Sequence, residues 1–240
     1  MSRLLRCDVE WTDDGVGCEG GVIPLLGPEP LIWRRAVSVE ETHETVWTSS
    51  LVAAEIIRMR QGGGEALVEL GAGVGVVARA AKNAKRFVSV TMSDKTLGHC
   101  LDVNMQAYAN VRFVPLNWAH VDEKALADLL LNSMAVEKTL LIVSDCVYDD
   151  DVSLLLFQLL ERVFESLRGH CECILVFEKR IVWRAGDDAP SAPHAEFFLD
   201  LVHHSGAWRV EDIDLSSVDH VLPYVRRPEI TAMRLLSTRH

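Results

Sequence analysis

The sequence has no long apolar run and a shortage of positive charge. No stretch approaches the roughly 18 consecutive apolar residues of a membrane helix, and the segment after Met1 is too short and polar for a signal peptide. Lysine and arginine number 24 against 35 aspartate and glutamate residues, giving a formal net charge of -11. No basic run offers a footprint for a phosphate backbone. We therefore expect a soluble protein of the cytoplasm or nucleus that binds neither membranes nor nucleic acid directly.

Motifs of several enzyme classes are also missing. The six cysteines include no C-x-x-C pair and are expected to be structural thiols. The neighbouring His203 and His204 would point to different faces of a helix, so no metal site is expected. The chain has neither a G-x-S-x-G elbow nor a G-x-x-x-x-G-K-[ST] loop. Serine hydrolases and P-loop nucleotide triphosphatases are thereby excluded.

Short apolar runs alternate with longer amphipathic ones across most of the chain. With 49% hydrophobic and 25% charged residues, 240 residues suffice for one large, well-packed domain. Alternation of this kind predicts parallel strands joined by right-handed helical crossovers, hence a sheet covered on both faces. The predicted strands are 67–70, 87–92, 111–115, 140–143 and 173–177. The predicted helices are 74–83, 122–131 and 152–167. A further helix between the second and third strands is predicted from the helical spacing of Leu97, Leu101, Met105 and Tyr108.

The two ends of the chain differ from this rhythm. A loop over 185–193 and a helix over 195–204 lead to two strands, 208–213 and 230–236, with no good helix between them. We expect these strands to pair antiparallel at one edge. The predicted fold is thus α/β, a Rossmann-like, doubly wound, seven-stranded sheet that is mostly parallel with an antiparallel C-terminal edge strand.

The first 60 residues are predicted to form a cap on that sheet. Residues 31–39 alternate like a solvent-facing strand, and 46–59 form an amphipathic helix that ends before three glycines at 62–64. We assign residues 1–60 to the cap and 61–240 to the main domain. The three glycines could alternatively serve as a hinge.

A glycine-rich turn, E-L-G-A-G-V-G from Glu69 to Gly75, falls where the first main strand meets its helix. Glycine lets a backbone approach a ligand closely, and a helix N-terminus offers free N–H donors. The spacing is G-x-G-x-G, because Val76 stands where a dinucleotide fingerprint needs its third glycine. A tight turn without a ligand is the alternative.

Polar residues follow the next two strands. Asp94 lies about one β-α-β unit beyond the glycines, where an acid can accept both hydroxyls of a ribose. Its alternative role is the N-cap of a helix beginning at Lys95. Asn117 and Trp118 place an amide and an indole at the same rim, where the ring could stack on a flat base. Trp118 could instead be an ordinary core residue.

The fourth strand ends in a third acidic element. Asp145 is expected to face the crevice together with Tyr148, whereas residues 149–151 better suit the positive end of the next helix. Glu178, after the fifth strand, is a second candidate acid or else part of a surface ion-pair cluster.

The glycine bend, Asp94 and the Asp145-x-x-Tyr148 element, preceded by Trp47 and a helix, resemble one known family. That family is the seven-β-strand S-adenosylmethionine-dependent methyltransferases that modify lysines in proteins. The resemblance runs from about Thr45 to Phe177 and includes Asn104 and Trp118. It implies S-adenosylmethionine as cofactor, a protein substrate presenting a lysine, and a monomeric enzyme.

The resemblance also implies site roles. Asp94 would bind the ribose hydroxyls, Trp47 would help to close the pocket, and the catalytic pair Asp145 and Tyr148 would border the methyl donor and the entering lysine. Many relatives carry aspartate where this chain has Asn117, so a polar contact there is expected to differ. The remaining cofactor-binding residues are Glu69, Gly71, Ala72 and Gly73 at the methionine end, Lys95 beside the ribose acid, and Asn117 and Trp118 near the adenine.

Three other functions stay open from sequence. A small-molecule methyltransferase would share the cofactor half but have a closed, apolar acceptor pocket. A non-catalytic binding module would keep the fold and lose cofactor affinity. A nucleotide-dependent oxidoreductase is disfavoured by Val76.

Overall fold

The described residues form one seven-stranded sheet with helices on both faces and a separate two-stranded sheet. The computed structural model describes residues 19–21, 31–33, 43, 45–106, 108, 110–167, 171–183, 189–222 and 224–238. The strands are β1 (Glu19–Gly21), β2 (Leu31–Trp33), β3 (Glu65–Leu70), β4 (Phe87–Asp94), β5 (Val111–Pro115), β6 (Thr139–Ser144), β7 (Cys171–Glu178), β8 (Trp208–Asp212) and β9 (Ile230–Ser237). The α-helices are α1 (Thr48–Met59), α2 (Val76–Ala84), α3 (His99–Met105), α4 (Glu123–Leu130), α5 (Asp150–Ser166) and α6 (Pro193–Ser205).

The main sheet has seven strands in the order β5-β4-β3-β6-β7-β9-β8. Strands β3 to β7 pair in parallel, and the order reverses between β3 and β6. Such a reversal opens a crevice at the carboxyl ends of the strands, because the crossovers on either side lead to opposite faces of the sheet. The predicted Rossmann-like, mostly parallel fold is confirmed.

The C-terminal edge is antiparallel, also as predicted. Strand β9 lies between β7 and β8 and runs antiparallel to both. The last strand of the chain therefore inserts into the sheet, and β8 forms the outer edge.

Residues along each central strand alternate between two apolar cores. In β3, Leu67 packs with helices α1, α2 and α3, whereas Val68 packs with α4, α5 and α6. This period of two is what a strand buried on both faces requires. Both residues are completely buried, so β3 is a rigid base for the turn that follows it.

Helix α3 is shorter than its apolar spacing indicated. It begins after Gly98 and ends at Met105, so Leu97 and Tyr108 lie outside it. Leu97 is exposed, whereas Tyr108 is buried and its hydroxyl donates to the Gly75 carbonyl oxygen over 3.2 Å. Tyr108 therefore supports the glycine turn rather than a helix face.

A buried carboxylate joins α1 to the chain segment before β9. Glu55, 1% exposed, accepts hydrogen bonds from the backbone N–H groups of Val221 and Leu222, each over 2.8 Å. Its other oxygen accepts from the Tyr224 hydroxyl at 2.5 Å and from the Arg226 guanidinium at 2.6 Å. Four donors thus saturate one carboxylate.

Little of the predicted N-terminal cap is described. Strands β1 and β2 pair antiparallel, and β2 is the first part of the strand predicted over 31–39, whose remaining residues lie outside the described ones. Cys7, Cys18, Gly169 and residues 185–188 of the predicted loop also lie outside the described residues. The division at residue 60 stays a prediction. No described helix is long and apolar enough to cross a membrane.

Candidate active site

The turn after β3 is held open by glycines in the left-handed region. Gly71, Gly73 and Gly75 have φ values of +70°, +54° and +82°, which side chains other than glycine rarely adopt. Ala72 donates its N–H to the Ser93 carbonyl oxygen over 2.9 Å, which ties the turn to β4. The G-x-G-x-G spacing therefore reflects a backbone conformation that glycine adopts easily and other residues adopt only with strain.

Two of these glycines are also required by close packing. A Cβ on Gly71 would lie 2.5 Å from the Cys146 Sγ and 3.5 Å from the nearest atom of the Trp118 ring. A Cβ on Gly75 would lie 2.9 Å from the Tyr108 ring. These contacts bring the ends of β3 and β6 and the Trp118 ring, from the segment that follows β5, together at one rim.

Asp94, the last residue of β4, points toward the glycine turn. Its Oδ2 accepts the Gly73 N–H over 2.9 Å, and its Oδ1 accepts the N–H of Lys95 over 2.7 Å. Burial raises the pKa of Asp94, and the two N–H donors and the nearby His43 oppose that rise. The alternative role as a helix N-cap is wrong, because α3 begins at His99 with Gly98 as its N-cap.

Glu69 lies beneath the turn and is 1% exposed. One carboxylate oxygen, Oε2, accepts the Ala78 N–H over 2.9 Å, which ties β3 to α2. The other, Oε1, is buried with no hydrogen-bond partner among the described residues. Burial raises the pKa of Glu69 to about 8. An unpartnered, buried carboxyl oxygen beside a glycine cradle leaves a polar position that a ligand can fill.

This raised pKa makes the ligand-free protein sensitive to pH. The Glu69 pKa is about 8 in the folded protein against an ordinary 4.5. The contribution of Glu69 to the free energy of unfolding is therefore fully present below pH 4.5 and is lost as the pH rises toward 8. Between these values stability should fall with a slope of up to about 1.4 kcal/mol per pH unit from this group. We expect Glu69→Gln, which mimics the protonated acid, to flatten the profile in urea unfolding measured from pH 5 to 8. A variant profile as steep as that of the wild type would contradict the assignment.

Asn117 and Trp118 follow β5 at the same rim. The Asn117 side-chain oxygen accepts the Ala119 N–H over 3.2 Å and so caps a short 3-10 helix, Trp118–His120. The Trp118 ring is half-buried, contacts Gly71 and packs against the core beneath α4 and α5. Trp118 therefore serves in part as the core residue considered for it, and its stacking on a base stays a prediction. The oxygen of Asn117 is used within its own turn.

Asp145 stands immediately after β6 in an unusual backbone conformation. Its φ is +57°, uncommon for any residue but glycine, and its N–H donates to the Val176 carbonyl oxygen over 2.8 Å. The side chain is 3% exposed; Oδ1 accepts the Glu178 N–H and Oδ2 faces the Arg180 guanidinium, both over 3.4 Å. Burial raises the pKa of Asp145 and the charge of Arg180 opposes that rise.

Trp47 and Arg180 complete this cluster. Trp47 precedes α1, and the Arg180 Cζ lies 5.4 Å from the centroid of its indole ring, within range of a cation–π interaction. Residues that follow β6 and β7 thus meet the start of α1. Sequence reasoning missed Arg180, although it lies two residues after the candidate acid Glu178 and after a strand that ends at the rim.

The other rim acids have structural partners. The Glu178 carboxylate pairs with Arg227 over 2.9 Å, so the ion-pair alternative considered for it is correct. Asp149 is the N-cap of α5 and accepts the Val152 N–H over 3.1 Å, which confirms that residues 149–151 begin a helix. Tyr148 is 45% exposed, and burial of its remainder raises its pKa, as do Cys146 and the nearby acids.

A family model described as lysine methyltransferase matches residues 30–200 of the chain. The chain belongs to the lysine methyltransferase family. Human methyltransferase-like protein 22 is 28% identical over an alignment of 168 residues, which covers 61% of this chain and 40% of that protein. The chain therefore spans well under half the length of this curated relative.

Solved methyltransferase structures are also similar to the chain, at low identity. Precorrin-6y C5,15-methyltransferase from Geobacter metallireducens is 13% identical with a TM-score of 0.49, over 80% of this chain and 90% of that one. A methyltransferase from Aquifex aeolicus described as SAM dependent is 13% identical with a TM-score of 0.48, over 80% of this chain and 94% of that one.

In this lysine methyltransferase family member the residues selected from sequence form two adjoining groups. One surrounds the turn after β3, and the other surrounds Asp145. Cys146 joins them, since it follows Asp145 directly and its sulfur lies against Gly71. Lys95 meets the first group through its N–H alone and its side chain is exposed. The described residues contain no group of three histidine, cysteine or acidic side chains that could hold a metal ion.

Proposed function

We propose that this protein transfers a methyl group from S-adenosylmethionine to a lysine side chain of a protein substrate. One observation carries the proposal: the Asp94 carboxylate at the end of β4 lies 2.9 Å from the Gly73 N–H in the turn after β3. A carboxylate beside a glycine turn at the carboxyl edge of a parallel sheet suits a nucleoside whose ribose hydroxyls it can accept. Family membership supports the lysine acceptor.

The first group of residues would hold the cofactor. Asp94 would accept the ribose hydroxyls, the glycine turn and the free Oε1 of Glu69 would adjoin the methionine end, and Trp118 would pack near the adenine. When bound, the cofactor supplies a methyl group on an electrophilic sulfonium. The chain needs no covalent intermediate, because alignment and exclusion of water can supply most of the catalysis.

The second group suits a cationic acceptor. A lysine with a reference pKa near 10.4 must lose its proton before it attacks, at a cost of about 4 kcal/mol near pH 7.4. The buried Asp145 carboxylate can draw in the ammonium and orient the amine, while the Trp47 ring offers a face for the cation. We assign Asp145 to positioning first, with proton acceptance as a second role, and Tyr148 to a wall of the entrance.

Transfer of label tests the proposal. The pure protein is incubated with tritiated S-adenosylmethionine and a cell extract, and the products are separated by size. We expect label on a protein band, retained on lysine after hydrolysis. Label confined to small molecules would favour the alternative of a small-molecule methyltransferase. Cofactor binding without any transfer would favour a non-catalytic module. Cytoplasmic or nuclear localisation and a monomeric state remain predictions.

Asp145→Asn should separate binding from turnover. Asparagine tolerates a positive φ, so the backbone at this position should persist, whereas the charge that attracts the ammonium is lost. We expect turnover to fall by about 100-fold or more, the lower end for loss of a positioned catalytic group, with S-adenosylhomocysteine affinity within about twofold of the wild type. Asp151→Asn, at an exposed acid in the first turn of α5, is the matched control. Turnover at the wild-type rate would remove Asp145 from the site.

A further inference from the structure

We propose that the Arg180 side chain occupies the acceptor position of the substrate-free enzyme, so that an entering lysine must displace its guanidinium. This inference rests on the proposed lysine methyltransfer. It adds a specificity role: a free amine would compete poorly with the tethered guanidinium, whereas a lysine on a docked protein segment brings further contacts that help to displace it.

Arg180 makes the contacts that a lysine ammonium would make at this place. Its Nη2 lies 3.4 Å from the Asp145 Oδ2, and its Cζ lies 5.4 Å from the centroid of the Trp47 ring. An anionic oxygen and an aromatic face together form a site for an alkyl cation. Among the described residues, Asp145 is the one acid that forms an ion pair with Arg180. The Arg180 guanidinium and an entering lysine ammonium would therefore compete for the same carboxylate.

The arrangement can be displaced at modest cost. The Arg180 side chain is 36% exposed, against 3% for Asp145. A distance of 3.4 Å is long for a charge-assisted hydrogen bond, which is usually 2.7–2.9 Å. Because water already reaches the guanidinium, it can swing outward without leaving a buried charge unpaired, provided that another cation takes its place at Asp145.

The backbone around Arg180 is fixed on both sides. The Lys179 N–H donates to the Glu229 carbonyl oxygen over 3.0 Å, and the Val182 N–H donates to that of Ser191 over 2.8 Å. Displacement of Arg180 is therefore a side-chain rotation. A guanidinium has N–H donors and no acceptor, so it occupies the position without offering a nucleophile to the methyl donor.

Two exposed apolar side chains lie next to Arg180 on the same segment. Ile181 is 45% exposed and Trp183 is 70% exposed. A protein segment that covers them would gain binding energy close to the point where Arg180 must move. Free lysine makes no such contact, which is the physical basis for the discrimination.

Binding of a minimal lysine probe tests the inference. Nα-acetyl-lysine methylamide is titrated into the wild type and into Arg180→Ala, followed by NMR on the Trp47 indole N–H signal, with and without S-adenosylhomocysteine. We expect Arg180→Ala to bind the probe about tenfold more tightly, which corresponds to about 1.4 kcal/mol. Added methylguanidine should compete with the probe in Arg180→Ala and so restore weak binding. Weaker binding or no change in Arg180→Ala would overturn the inference, since an arginine that only orients Asp145 would weaken binding when removed.

Arg227→Ala is the matched control, because it removes a neighbouring cation that pairs with Glu178 over 2.9 Å. Probe affinity within about twofold of the wild type is expected there. An equal gain in both variants would show a general effect of lost positive charge and would contradict a specific role for Arg180. Calorimetry with S-adenosylhomocysteine separates the two proposals. Absence of that binding in the wild type would refute the proposed function, whereas normal binding without tighter probe affinity would refute the role of Arg180 alone.

Discussion

Asp94→Ala is expected to lower the affinity for S-adenosylhomocysteine by about 100-fold or more while the chain keeps its fold. Hydrogen bonds to a charged group contribute about 1.5–3 kcal/mol each, and the proposed ribose contact uses two of them. The variant also loses the acceptor of the Gly73 N–H, which is 2.9 Å from Asp94. Calorimetry measures the affinity, and circular dichroism with thermal unfolding reports on the fold.

An intermediate variant and a control variant accompany Asp94→Ala. Asp94→Asn keeps an oxygen acceptor without the charge, so its affinity should lie between those of the wild type and Asp94→Ala. Asp102→Ala, at an exposed acid in α3, should bind like the wild type. Unchanged affinity in a folded Asp94→Ala protein would refute the ribose role.

Glu55→Ala is expected to destabilise the protein by about 3–5 kcal/mol, the usual loss when one partner of a buried ion pair is removed. Glu55 is 1% exposed and Arg226 is 15% exposed, so the guanidinium would be left unpaired in the interior. The N–H groups of Val221 and Leu222 would lose their acceptor as well. Urea unfolding followed by tryptophan fluorescence gives the free energy of unfolding.

An exposed ion pair serves as the control. Glu123 pairs with Arg162 over 2.7 Å but its side chain is 89% exposed, so Glu123→Ala should cost at most about 1 kcal/mol. Glu55→Gln keeps an acceptor and should fall between the two. If Glu55→Ala cost no more than Glu123→Ala, the segment before β9 would not be held as described.

The sheet could be predicted because its strands carry a strong local signal. A strand buried on both faces, such as Thr139–Ser144, appears in the sequence as a continuous apolar run, here Leu140 to Val143. The antiparallel edge could be predicted because the sequence has no good helix between the last two strands, and a parallel pair needs such a crossover. The insertion of Ile230–Ser237 between its neighbours had no local signal, since strand order depends on contacts between distant residues.

The candidate site was predictable where a residue's place follows from a strand end. Asp94 is the last residue of one parallel strand and Asp145 directly follows another, and parallel strands bring their carboxyl ends to one edge. The structure places both acids at that edge. The same rule would have selected Arg180, but a basic residue near acids in the sequence is also typical of a surface ion pair. The sequence does not show which carboxylate Arg180 pairs with.

Other features depend on geometry that a sequence pattern does not carry. Glu55 occupies one position of an amphipathic helix, and its four donors lie more than 160 residues later in the chain. The packing of Gly71 against Cys146 also joins residues that are distant in the sequence. The local use of the Asn117 oxygen was a possible inference, because asparagine before a helical turn often caps it.

A crystal structure with S-adenosylhomocysteine is the decisive test of cofactor binding at this rim. We expect the ribose hydroxyls within hydrogen-bond distance of the Asp94 carboxylate, and the homocysteine moiety beside the turn from Gly71 to Gly75. A nucleoside bound elsewhere on the chain, or bound at this rim with its ribose turned away from Asp94, would contradict it.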